Sequence, residues 1–291
     1  MRKFLIISNI KIEEANAFSS PYTVGFPAIP AFAGFMHRMQ RELISKYIDL
    51  KFTKIGIICN DFDLRAYRGS TNSGRAYSVI EKRHPLKSDG KTDSFIEEPL
   101  CNLETTIVFE YEGVRKVKEE SFIDDIEVLL SSKVKIASGN IVNFGKVFLK
   151  RIDDHSLEDE KKLLRMLNRG FAIVNRRDLI EEDMKQNNLN AFDSVLSFIQ
   201  VNSKAIKNED EVEWIRSKKN SSGWFVPISV GYQGISKLGY AENQRSNDYL
   251  HRFAESVVTL GEFVMPYRLN EIDKMLWHYD YDELNNLYLC K

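Results

Sequence analysis

Between Leu64 and Lys91 the chain gathers seven cations, Arg65, Arg68, Arg75, Lys82, Arg83, Lys87 and Lys91, against two acids, Glu81 and Asp89. Tyr67, Tyr77 and, just beyond, Phe95 are interleaved with them. Cations hold phosphates and aromatic rings stack on splayed bases, so the mixture suits single-stranded nucleic acid. A solvated charge-rich loop, or a dock for an acidic protein, has the same composition. The whole chain carries −1 and this segment +5, leaving −6 on the remainder. A basic patch on an acidic body can hold a polyanion locally.

A second candidate is the Gly/Pro loop from Ser19 to Pro30, which includes Ser20, Tyr22, Gly25 and Phe26. It lacks the G-x-G-x-x-G spacing of a dinucleotide site. A loop leading into a helix N-terminus can still offer backbone N–H groups to a phosphate. The competing reading is a tight connection that packs Phe26 and Pro27 under a sheet.

Nothing points to a catalytic or metal centre. The P-loop, nucleophile-elbow and H-E-x-x-H patterns are absent. Asp124-Asp125 and Asp153-Asp154 are paired acids of the kind that helix starts and loops attract anyway. His84 follows Lys82 and Arg83; it could serve as a general acid or base, but a phosphate or base contact is the favoured reading. Cys59, Cys101 and Cys290 are odd in number and far apart, which argues against a disulfide framework or a zinc site and fits a reducing cytoplasm. The apolar run Phe4–Ile7 stops at Ser8-Asn9, too short for a signal-peptide core or a membrane span.

The elements that would position these residues follow from pattern. Phe4 to Ile12 reads as a buried strand. Pro30 opens a helix whose stripe is Phe32, Phe35, Met36, Met39 and Leu43, with His37, Arg38 and Arg41 off it. Strands are expected at Lys54–Cys59, Glu104–Tyr111 and Val134–Ile136, and a helix at Phe122–Leu130. Asp89-Gly90 marks a tight turn, so the basic segment reads as a hairpin projecting between the second and third strands. The order strand, helix, strand, insertion, strand, helix, strand is that of an α+β, RRM/ferredoxin-like fold. In the second half, Ser156 to Asp159 forms a capping box, with a strand at Gly170–Asn175 and a helix at Asp193–Gln200. An exposed loop at Asn202–Ser222, a strand at Trp224–Tyr232, and helices at Tyr249–Met265 and Glu271–Trp277 complete it. We place an RRM-like domain at 1–152, its thumb at about 62–100, and a mixed α/β extension at 153–291. Trp224, Phe225, Phe263, Trp277 and Tyr279 are many large rings for that extension; most read as core, some as interface anchors.

Four ordered blocks carry a resemblance. Glu14 to Pro27 contains Asn-Ala-x-Ser-Ser-Pro-x-Thr-x-Gly-Phe-Pro, and Ala31 to Arg41 continues it. Arg83 to Gly90 with Glu97-Glu98, Gly223 to Ile228 with Gly231-Tyr232, and Leu260 to Phe263 with Pro266, Arg268 and Leu276-Trp277 follow. Together they resemble the Csy two family (Cas-five type, RAMP superfamily) of type I-F CRISPR surveillance complexes. The resemblance implies a non-catalytic, cytoplasmic subunit without metal or cofactor. It would cap the 5′ handle of the CRISPR RNA as a heterodimer with the large Csy one subunit. It would touch the adjacent Csy three backbone subunit and, in the assembled complex, target DNA. The expected RNA contacts are Ser19, Ser20, Tyr22, Gly25, Phe26, Arg38 and Arg41, then Arg65, Arg68, Arg75, Lys82, Arg83, His84 and Lys87 on the thumb. The alternatives are a metal-independent repeat-cleaving endoribonuclease of the same superfamily, with His84 in the reaction, and a subunit that only bridges proteins.

Overall fold

The computed structural model describes all residues except 69–76, 80–86, 92–97, 133, 154–155, 209–210, 219–221 and 245. The first half runs β1 (Arg2–Asn16), a short hairpin (Phe18–Ser20 with Thr23–Val24), α1 (Ile29–Leu43), β2 (Lys51–Leu64), β3 (Leu100–Glu112), α2 (Glu119–Ser132), β4 (Gly139–Asn143) and β5 (Val147–Ile152). The second half runs α3 (Leu157–Met166), β6 (Phe171–Asn175), α4 (Arg177–Asn187), α5 (Ala191–Ile199), β7 (Val201–Asn208), β8 (Glu211–Lys218), β9 (Phe225–Gly234), β10 (Ala254–Val264), β11 (Tyr279–Asp282) and β12 (Leu287–Cys290).

Both halves contribute to one 12-stranded sheet whose main path is β11-β12-β9-β10-β6-β2-β3-β1-β4. Its named pairings are antiparallel. Strand β1 lies between β3 on one side and β5 and β4, end to end, on the other.

Four consecutive apolar residues, Phe4-Leu5-Ile6-Ile7, cannot alternate between core and solvent, so such a strand must be covered on both faces. It is. Leu5 and Ile7 pack with Ile57, Ile107 and Phe109 beneath α1 and α2. Phe4 and Ile6 pack with Val108, Leu163, Leu164 and Met275 on the opposite face, beneath α3 and the 3-10 turn Ile272–Met275. Arg2 pins that turn: it donates to Glu110 at 2.6 Å and to Asp273 at 2.7 and 3.0 Å, and Lys54 joins Asp273 at 2.5 Å. Burial works against the Arg2 charge, but these hydrogen bonds more than offset it and raise its pKa. A third core of Ile180, Phe198, Phe225 and Leu260 sits under α4 and α5.

The expected helix α1 forms as its stripe requires, with Phe32, Phe35, Met36, Met39 and Leu43 buried. Ser156 caps α3 by accepting from the Asp159 amide. Four expectations are corrected. Val134–Ile136, expected as the fourth strand, supplies only the two-residue strand Lys135–Ile136, and the strand that flanks the start of β1 is β5, which its sequence did not announce. Tyr249–Met265 is not a helix: Ala254–Val264 is strand β10, between β6 and β9. Its Val257, Leu260 and Val264 mimic a helical stripe. The β-branched run Val257-Val258-Thr259 and two waiting strand partners override that signal. The Asn202–Ser222 segment is not simply a loop: it carries the β7–β8 ribbon, paired from Val201↔Lys218 to Asn208↔Glu211. Glu271–Trp277 shortens to the 3-10 turn, after which Leu276–Trp277 pairs with β2. Among the large rings, Phe225 and Trp277 are core, whereas Trp224 and Tyr279 are substantially exposed.

Cys59, Cys101 and Cys290 are free and buried, and burial pushes each thiol up to about 12. Among the described residues no helix is long and apolar enough to cross a membrane. No cluster of three His, Cys, Asp or Glu residues there could hold a metal.

Candidate nucleic-acid interface

One end of the sheet brings together the Ser19–Phe26 loop, the base of the basic insertion and the start of α1. Strand β1 ends there at Asn16, β2 at Leu64, and β3 begins there at Leu100. The Ala17 amide donates to the Pro99 carbonyl and the Arg65 amide to the Leu100 carbonyl, both at 2.9 Å. The base of the basic insertion is thereby tied to the start of the Ser19–Phe26 loop. The turn that precedes β4 arrives at the same place: the Asn16 amide donates to the Ala137 carbonyl at 2.8 Å.

These segments enclose a cleft of about 350 Å³. Its walls are Asn16, Phe18 and Ser19 from the hairpin, Pro27, Ala28, Ala31, Gly34, Phe35 and Arg38 from α1 and its approach, Lys135, Ala137 and Ser138 from the turn, and Tyr232 from β9. Helix α1 begins at this wall without a side-chain cap and without an acid in its first turn. Pro30 has no N–H and the Ala31 amide donates to the Ala28 carbonyl at 3.0 Å, so the positive end of the dipole, not a set of free amides, favours an anion here. Arg38 is half exposed and bridged to Glu42 at 2.6 Å; Lys135 is exposed, and no described carboxylate pairs with it. Phe18 and Tyr232, which line the cleft with these two cations, are each 44% exposed. Ala137 and Ser138 have φ of 48° and 66°. Two consecutive non-glycine residues in the left-handed region are strained, and such strain concentrates at functional sites.

The loop is held mainly by its own hydroxyls. Thr23 Oγ1 lies 2.8 Å from Ser19 Oγ and 2.7 Å from Ser20 Oγ, and the Tyr22 amide donates to Ser20 Oγ at 3.2 Å. Ser20 is buried, Tyr22 is 86% exposed at the tip, and the Gly25 amide already donates to the Ala17 carbonyl at 2.9 Å. Phe26 is not a contact ring. It is buried, stacked on Phe32 at 5.6 Å and edge-on to Phe263 at 5.4 Å. The aromatic core available beneath the loop outcompetes exposure, which is the tight-connection reading of this segment. Of the residues expected to touch RNA, the cleft directly includes Ser19 and Arg38.

Arg41 is exposed one turn along α1 from His37. Partial burial and the Arg41 charge lower the His37 pKa, favouring a neutral ring. That ring stacks on Tyr279 at 4.7 Å. On the insertion, Arg65 bridges Glu14 at 3.2 Å, and Arg68 lies exposed on the small Ala66–Arg68/Tyr77–Val79 ladder. Lys87 opens the Asp-Gly turn, with the Gly90 amide donating to its carbonyl at 2.9 Å and Gly90 at φ 77°. Arg75, Lys82, Arg83 and His84 lie outside the described residues. The sequence reading missed Lys135, Ser138 and Tyr232 as partners of Arg38. Tyr232 and Phe18 fall inside resembling blocks, a signal that could have found them; Lys135 has none.

The chain matches the family described as CRISPR-associated protein (Cas_Csy2) over residues 5–290. It is 26% identical over 320 aligned positions to the CRISPR-associated protein Csy2 of Pseudomonas aeruginosa (strain UCBPP-PA14), covering 98% of this chain and 93% of that protein. With nearly its whole length matched, from within β1 to the last residue of β12, this chain belongs to the Csy2 family of CRISPR-associated proteins.

Proposed function

We propose that this chain is a non-catalytic RNA-binding subunit of a type I-F CRISPR complex, holding the 5′ handle of the guide RNA at the sheet end described above. The observation that carries the proposal is the cleft. Two cations, an uncapped helix N-terminus, hydroxyls and two exposed rings meet in about 350 Å³, in a member of the Csy2 family. Phosphates would sit against Arg38, Lys135 and the positive end of the α1 dipole; a splayed base would lie against Phe18 or Tyr232. The insertion, anchored at Arg65 beside the cleft, would close over the RNA through Arg68, Lys87 and the cations between them. The large Csy one subunit, the adjacent Csy three subunit and, after assembly, target DNA are its proposed neighbours.

An RRM-like reading of the first half is supported by the strand order β2-β3-β1-β5 and by α1 and α2 sharing one core. In an ordinary RRM the opposite sheet face stacks bases. Here that face is covered by α3 and the Ile272–Met275 turn, which supports a contact at the sheet end instead. The test is to purify the subunit with its neighbours, sequence the bound RNA, and titrate salt. Arg38→Ala with Lys135→Ala should lower the log–log salt slope by about one per lost phosphate contact. An unchanged slope and affinity would remove the cleft from the RNA path.

A further inference from the structure

The cleft does not end at Tyr232. That residue pairs directly with Tyr288 of β12, and Tyr288 pairs with Tyr281 of β11. Directly opposed residues share a sheet face, so the three tyrosines form one row across three strands. All three remain exposed, at 44, 41 and 48%. Tyr281 and Tyr288 stack at 4.4 Å, and the hydroxyl hydrogen bond between them, with burial second, raises the Tyr281 pKa. The row runs beside α1, because Tyr279, on the same face of β11, carries the His37 stack.

Beside the row lies Arg252. Its stem crosses the bare backbone of Gly234, where an added Cβ would come within 2.5 Å of Arg252 Cδ. Its Nη1 donates to Asn286, while its buried Nε has no acceptor. The neighbouring acids are partly offset: Glu42 is paired with Arg38 and Asp280 with Lys291, while Glu283 acts on Tyr281 against Arg252.

We infer that Tyr232, Tyr288 and Tyr281, flanked by Arg252, form a stacking track that leads unpaired bases of single-stranded RNA away from the Arg38–Lys135 cleft. The inference rests on the RNA reading of that cleft. Every base has a π-face, so an aromatic row flanked by cations accepts single strands with little sequence preference. A protein partner also favours exposed tyrosines. Continuity with the cationic cleft at Tyr232, and the Arg252 guanidinium beside the row, favour a polyanion.

The test uses the full chain and a fluorescent single-stranded RNA of about 16 nucleotides, the upper range of a single binding module. A second RNA carries abasic residues throughout. Tyr281→Leu with Tyr288→Leu should weaken binding of the intact RNA by roughly 5- to 150-fold for each lost stack. It should leave the salt slope and the binding of abasic RNA unchanged. Tyr281→Phe with Tyr288→Phe keeps the rings and should bind like wild type, and melting curves of both pairs check folding. Tyr232→Leu is the independent single variant. Wild-type affinity for the leucine variants, or equal losses on abasic RNA, would overturn the track. So would loss of a co-purifying subunit at unchanged RNA affinity, which would assign the row to a protein. If Arg38→Ala with Lys135→Ala weakens binding while the tyrosine variants do not, the track alone falls. If wild type binds neither RNA, the cleft reading falls with it.

Discussion

Gly139→Ala should destabilise the protein and disturb the cleft together. Gly139 opens β4 immediately after the strained Ala137-Ser138 turn. A Cβ there would come within 2.6 Å of Ile12 Cγ2 and 2.9 Å of the Ala15 Cα and amide nitrogen. Ordinary carbon contacts are about 3.5–4.0 Å, so something must give by roughly 1 Å. Ala15 cannot give easily, because it pairs with Cys101 on β3. The turn must therefore lift from β1, loosening the Asn16 amide's bond to Ala137 and carrying Lys135 and Ser138 with it. Overpacking of this kind costs about 1–3 kcal/mol. Unfolding entropy scales to about 0.6 kcal/mol per kelvin for a chain of this length, so Tm should fall by about 2–5 °C. Differential scanning calorimetry measures it. RNA affinity, measured well below the transition, should fall as well. A Tm equal to wild type would refute the claim that the turn is pinned to β1; a lower Tm with unchanged affinity would separate the turn from the RNA site.

Gly34→Ala should stabilise the protein by about 0.5–1 kcal/mol, since Gly34 is an exposed α1 residue with nothing within 4 Å of an added Cβ; chemical denaturation reads it. Trp277→Ala should cost about 3–5 kcal/mol, because the buried indole fills the core and its N–H donates to the Ile173 carbonyl at 3.1 Å; Trp277→Phe should cost less in the same urea titration. Burial disfavours the Asp273 carboxylate, but hydrogen bonds and charge from Arg2 and Lys54 prevail and hold its pKa below the ordinary value of 3.8. A depressed folded-state pKa gives stability that is present above 3.8 and lost as pH falls through the folded value. Asp273→Asn should therefore cost about 1 kcal/mol at pH 7, discounted for exposure, and nothing below both pKa values; parallel curves at every pH would contradict it.

Local signals carried the N-terminal half. The apolar run at Phe4, the stripe from Phe32 to Leu43 and the β-branched Glu104–Tyr111 segment each have one reading, and tertiary structure agrees with it. The second half was less legible because its strands obtain their pairing from afar. Strand β10 forms between β6 and β9, and no local pattern announces those partners. The ribbon β7–β8 escaped for another reason: among its described residues no face is buried, so its alternation carries no apolar stripe. The cleft was half legible. Ser19 and Arg38 were visible as a loop hydroxyl and an off-stripe cation. Lys135 and Tyr232 are nearly a hundred positions apart and meet only because β1 and α1 bring their strands to the same end.

The ion pair between Arg2 and Asp273 spans 271 positions. During synthesis at about 5–20 residues per second, some 15–55 s separate the appearance of its two members. Throughout that interval β1 has been made, but its cover on the α3 face is incomplete, since Ile272 and Met275 have yet to emerge. Non-local pairings of this kind close late and slowly. The nascent chain therefore spends most of its translation with an apolar sheet face open to other surfaces. The yield of folded protein should respond more to translation speed and chaperone supply than its final packing would suggest.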